Sequence, residues 1–127
     1  MPDRILKPWP FTPAPQLVAD IGGTNTRVAL ADSGVLRQGS IRRYANAGRA
    51  SLSDILRDYL SETATTECHG VCVAVAGPVR NGVARMTNLD WEITSEELSA
   101  VGGTARIAIL NDLEAQGHAL SSLDPRH

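Results

Sequence analysis

Asp20-Ile21-Gly22-Gly23-Thr24-Asn25-Thr26-Arg27 decides what kind of fold this chain can adopt. Before the glycines runs the apolar stretch Leu17-Val18-Ala19-Asp20-Ile21, and after them Arg27-Val28-Ala29-Leu30-Ala31 resumes it. Two β-rich runs around a Gly-rich turn read as a hairpin. A phosphate group needs backbone N–H groups that converge on one point. Paired glycines allow the left-handed backbone angles and close approach that this requires. Thr24 and Asn25 add side-chain donors, and Asp20 at the strand end suits a hydrated magnesium ion, which takes one or two carboxylates and keeps most of its waters. The same residues also fit a plain hairpin turn with a surface carboxylate. The run lacks the Lys-Ser/Thr ending of a Walker A loop and the G-x-G-x-x-G spacing of a dinucleotide fingerprint. It lies between two strands, which points to a phosphate hairpin of another kind.

Outward from the hairpin, Asp32-Ser33-Gly34 marks a second turn, and Val35 to Tyr44 reads as a third strand. Ser51 with Asp54 resembles a capping box, and Leu52, Ile55, Leu56, Tyr59 and Leu60 follow at helical spacing. Val71 to Ala76 is continuously apolar, as in a parallel strand covered on both faces. Gly77-Pro78 stops it, and Asn81-Gly82 turns into a short strand near Val83 to Met86. Thr94 with Glu97 caps a second helix that Gly102-Gly103 closes. Arg106 to Leu110 is a last apolar strand, followed by Asn111-Asp112 and a helical stretch to about Leu120. Meandering strands followed by alternating units imply an α/β fold, a mixed sheet with helices on its faces.

The chain has 127 residues, 43% hydrophobic and 20% charged, which fits one soluble domain. Its net charge of -2 gives no electrostatic footprint for nucleic acid or an anionic membrane. No apolar run approaches the roughly 20 residues of a membrane helix. Residues 1–16 hold five of the seven prolines and read as an extended, flexible leader before a domain at 17–127. Two cysteines, Cys68 and Cys72, are too few for a disulfide framework and suit a reducing cytosol. With His69 they offer close-spaced metal ligands, but buried thiols explain them better.

Two further motifs carry chemistry. A carboxylate just past a buried strand stands where α/β sheets place ligands, so Asp112 can take the proton of an attacking sugar hydroxyl. Asn111 with Glu114 also has the form of a helix cap. Thr87 and Asn88 are short polar groups suited to sugar hydroxyls, with Trp91 to pack beneath them, and equally suit a polar loop anchored by a core Trp.

Together these stretches resemble the bacterial glucokinase family, of the hexokinase and actin-like ATPase superfamily. The resemblance runs through Asp20 to Arg27, Val73-Ala-Val-Ala-Gly-Pro-Val79, Thr87-Asn88-Leu-Asp-Trp91 and Leu110-Asn111-Asp112-Leu113-Glu114-Ala115, in family order over roughly 17–120. It implies a ribonuclease H-like, actin-like ATPase domain that transfers a phosphoryl group from Mg-ATP to the 6-hydroxyl of glucose or a related hexose. It implies Asp112 as the catalytic base, Asn111, Thr87 and Asn88 on the sugar, and Gly22, Gly23, Thr24 and Asn25 around the phosphates, with Asp20 near the metal. Family members are considerably longer, and the resemblance places the second phosphate loop, the adenosine pocket and later sugar ligands beyond His127. Thr26 and Leu113 stand where the family pattern has Ala and Phe. The expectation is thus the amino-terminal lobe of a cytoplasmic glucokinase, with a bare lobe face that favours a homodimer. Two rivals are a catalytically inactive sugar-binding or regulatory fragment and an actin-like nucleotide-binding structural module.

Overall fold

The computed structural model describes residues 14–86 and 89–111. Residues 1–13 of the expected leader, the Thr87-Asn88 pair, Asp112 and the helix after it lie outside them, while Gln16, expected at the end of the leader, is already in the first strand, opposite Ala31. The chain first builds the expected hairpin, β1 (Gln16–Ile21) against β2 (Asn25–Asp32), antiparallel with Asp20 opposite Arg27. Short edge strands β3 (Val35–Leu36) and β4 (Arg42–Ala45) both pair with β2, at its two ends. The single third strand expected over Val35–Tyr44 is therefore two strands. The ladder breaks after Arg37, whose N–H donates to Leu30 C=O at 2.8 Å; beyond it the Ser40 hydroxyl accepts from Leu30 N–H and donates to the same C=O, both at 3.2 Å. Gly39, at φ 76°, turns the chain out of the ladder just before it.

Helix α1 (Leu52–Glu62) starts where the capping pattern predicts, with the Ser51 side chain accepting from Asp54 N–H. Strand β5 (Gly70–Val75) then lies parallel to β1, and β9 (Ile107–Asn111) lies parallel to β5. The main sheet thus runs β3-β2-β1-β5-β9, a mixed sheet of the expected kind. Between β5 and β9 stand a separate three-stranded antiparallel sheet, β6 (Val79–Arg80), β7 (Val83–Met86) and β8 (Trp91–Thr94), and helix α2 (Ser95–Gly102). Only β7 of that small sheet is legible in the sequence, because β6 and β8 are too short to show an alternation. Thr94 caps α2 through Glu97 N–H, and Gly103 ends it in the left-handed conformation, both as expected.

Side-chain alternation divides the main sheet into two faces. Leu17, Ala19 and Ile21 of β1, Val28 and Leu30 of β2 and Val71, Val73 and Val75 of β5 pack with α1, α2 and the small sheet in one core. Helix α2 lies so close to β5 that a Cβ on Gly102 would sit 2.6 Å from a methyl of Val71. Val18, Ala29 and Ala74 form a smaller cluster on the opposite face, with Leu36, Cys72 and Leu110 half-buried beside it. Strand β5 is therefore apolar on both faces, as its composition indicated. Trp91 is buried in the main core, and its indole N–H donates to Arg49 C=O at 3.3 Å, so it ties the small sheet to the segment that enters α1. Burial pushes both thiols up, Cys68 and Cys72 alike, and among the described residues no group of His, Cys, Asp and Glu is arranged to hold a metal.

Candidate phosphate-binding site

The register of three adjacent strands sets the site. Asp20 on β1 faces Arg27 on β2, and Arg27 faces Arg43 on β4. Direct cross-strand partners share a face, so these three charges form one row on the side of the sheet opposite α1. Arg27 Nη2 donates to Asp20 Oδ2 at 2.7 Å, with both side chains about 30% exposed (28% and 31%). The row borders an open cleft of about 280 Å³, whose other lining residues are Gly22, Gly23, Thr24 and Asn25. Every residue expected to cradle phosphate thus lines one concavity, and Arg27 and Arg43 line it too.

The glycines act differently from the expectation. The described glycines with positive φ are Gly34, Gly39, Gly48, Gly82 and Gly103, so neither Gly22 nor Gly23 uses the left-handed region. The bend is closed instead by Gly22 N–H, which donates to Asn25 C=O at 2.9 Å. That donor is committed to the turn, and Gly22 contributes to the cleft by having no side chain to fill it. Thr24 and Asn25 are exposed, and the Thr24 hydroxyl accepts from Asn25 Nδ2 at 3.1 Å, which leaves the hydroxyl proton able to donate outward.

The shape of the bend depends on a residue that no motif marks. Asn46, 2% exposed, lies just after β4. Its Oδ1 accepts from the Thr26 hydroxyl at 2.7 Å, its Nδ2 donates to Gly22 C=O at 3.1 Å, and its backbone N–H donates to Thr24 C=O at 2.8 Å. Three bonds from one buried amide residue hold the bend from beneath. Thr26 is fully buried, and Asn46 is the acceptor of its hydroxyl. Asn46→Ala is expected to destabilise the fold by about 1–3 kcal/mol, because it strands that hydroxyl without an acceptor. The double variant with Thr26→Ala should cost less than the two single changes added together. Urea denaturation of the four proteins reads this directly, and strict additivity would contradict the clamp.

The remaining expected site residues are placed only in part. Asn111 is the last residue of β9, opposite Val75 of β5, which in turn lies opposite Ile21 of β1. At about 4.8 Å between neighbouring strands, the end of β9 is about 10 Å from the end of β1, on the same edge of the sheet. By alternation Asn111 shares the face of Ile107 and Ile109. A metal at the hairpin would draw on Asp20 alone for carboxylate among the described residues that line the cleft. That donor set fits magnesium held mostly by water and phosphate oxygens and would not fit a fully protein-ligated ion.

Comparison with known proteins places the chain. A family model described as Glucokinase matches residues 17–127. The glucokinase of Stenotrophomonas maltophilia strain R551-3 is 46% identical over 112 residues, which are 86% of this chain and 33% of that protein. A crystal structure of glucokinase from an Antarctic psychrotroph superposes with a TM-score of 0.74 at 34% identity, over 91% of this chain and 37% of that one. A ROK family glucokinase from Streptomyces griseus, solved in complex with glucose and AMPPNP, shares the fold at 20% identity and a TM-score of 0.59, over 81% of this chain and 35% of its own. The chain spans about a third of the length of the curated relatives it matches.

Proposed function

The chain belongs to the glucokinase family, and from that premise we propose that it supplies the donor-phosphate hairpin and the catalytic base of a kinase acting on glucose with Mg-ATP. One observation carries the reading. The strands that end in the glycine bend and in Asn111 are parallel, and they finish on one edge of the sheet with only β5 between them.

On this reading the cleft takes the phosphate chain of ATP, with Gly23, Thr24 and Asn25 around its oxygens and Asp20 beside the magnesium. Magnesium, when bound, neutralises charge on the phosphates. Asn111, Thr87 and Asn88 hydrogen-bond sugar hydroxyls and fix the direction of attack. Asp112 accepts the proton of the 6-hydroxyl as its oxygen bonds to the γ-phosphorus. The bond from that phosphorus to the bridging oxygen breaks, and ADP leaves. Most of the rate comes from positioning and charge stabilisation, with the base assisting. The reaction needs ATP, and with two reduced thiols this favours the cytoplasm. Pairing of two chains through a bare lobe face belongs to the same proposal.

A coupled assay for ADP with Mg-ATP and a panel of glucose, mannose and N-acetylglucosamine tests the reading. ADP release that depends on glucose is the expected result. Sugar binding without turnover would favour an inactive binding role, and nucleotide-dependent filaments indifferent to sugar would favour the structural module.

A further inference from the structure

We propose that Arg43 is a second anion contact of the cleft, binding the phosphate chain of a nucleoside triphosphate from the strand beyond Arg27. The proposal deepens the kinase reading and rests on it for the identity of the anion. Its own ground is a mismatch of charge. Asp20, Arg27 and Arg43 stand in one cross-strand row, with one carboxylate for two guanidinium groups. Arg27 is joined to Asp20 at 2.7 Å. Arg43 is its direct neighbour on the other side, and like charges directly opposite each other destabilise a sheet. An anion between the two arginines converts that repulsion into attraction.

Paired arginines elsewhere sharpen the contrast. Arg37 pairs with Asp32, Arg42 with Glu62, Arg49 with Asp58 and Arg85 with Glu92. Arg57, Arg80 and Arg106 make no ion pair among the described residues, but they do not line the cleft. Arg43 likewise makes no ion pair with any described residue, although its sequence neighbour Arg42 does. Alternation along β4 explains the difference. Arg42 reaches Glu62 at the end of α1, where the Tyr44 hydroxyl also donates, while Arg43 lines the cleft on the opposite face. Among the described residues that line the cleft the formal charge is therefore net positive by one, at a place also lined by the exposed Thr24 and Asn25.

Calorimetric titration with inorganic tripolyphosphate tests this without requiring turnover. The wild type is expected to bind at low ionic strength. Arg43→Gln should weaken binding about tenfold, as expected for loss of one charge-assisted hydrogen bond. Arg43→Lys should keep most of the affinity, and the gap between wild type and Arg43→Gln should narrow as added salt screens the exposed charge. The melting temperature of Arg43→Gln should equal or exceed that of the wild type, because the change relieves a repulsion; a role in the fold alone would lower it. Equal tripolyphosphate affinity in wild type and Arg43→Gln, or no binding by the wild type, would overturn the proposal. Glucose phosphorylation with equal affinities would remove Arg43 and leave the kinase reading. A tenfold gap without any sugar phosphorylation would keep Arg43 as an anion contact and remove that reading.

Discussion

Asp112→Ala is expected to lower glucose phosphorylation by about 10²–10⁴-fold, the range a positioned general base supplies. Asp112 directly follows Asn111, the last residue of β9 and of the parallel strands that end beside the glycine bend. The alternative role for this pair is a helix cap, and a second substitution separates the two. On that alternative Asn111 is the cap and the Asp112 charge only favours the helix dipole, so Asp112→Asn should lose no more than about 0.3–1 kcal/mol of stability and should turn over normally. If the carboxylate takes the hydroxyl proton, Asp112→Asn loses the rate by far more than that small change in stability explains. Initial rates at saturating Mg-ATP and glucose, with a melting curve of each variant, decide between them. Full activity in Asp112→Asn would dismiss the catalytic assignment.

The largest effect on stability is expected at Tyr59. Its side chain is fully buried on α1, and its ring meets Tyr44 edge-on with centroids 6.5 Å apart. Its hydroxyl donates to Ser40 C=O at 2.6 Å. Burial drives this phenol above its ordinary range, which favours the protonated form that donates here. The bond ties α1 to the same Ser40 whose hydroxyl bonds the Leu30 backbone between β3 and β4. Tyr59→Ala removes the ring from the core as well as the bond, and about 3–5 kcal/mol is the usual cost of emptying such a site. That is a large part of the 5–15 kcal/mol typical of a whole domain. Tyr59→Phe keeps the ring and should cost only about 1 kcal/mol. Urea denaturation midpoints measure both, and a Tyr59→Phe loss as large as that of Tyr59→Ala would show that the bond, not the packing, carries the residue.

Glu62 shows how pH enters the same region. Its carboxylate accepts from the Tyr44 hydroxyl and from Arg42, which hold it below the ordinary glutamate range. A depressed carboxyl contributes stability that is complete above its unfolded pKa and is lost as pH falls through the folded one. That contribution therefore fades in acid.

What the chain's residues determined by themselves was local. The hairpin around Gly22-Gly23, the caps at Ser51 and Thr94, the turn ending at Gly103 and the doubly apolar β5 each depend on neighbours within a few positions. Short-range sterics and hydrogen bonding act there whatever the rest of the chain does. The list of residues around the cleft was likewise legible, since a glycine bend and its flanking donors are contiguous. Tertiary structure decided what distant residues do to that bend. Asn46 reaches back 24 positions to Gly22 and 20 to Thr26. Arg43 enters the cleft only because β4 pairs with β2 in a register that sets it opposite Arg27. An asparagine after a strand and a pair of arginines carry no mark of these roles. A buried bond or a cross-strand contact exists only once packing has brought its two partners together, so neither one alone contains it.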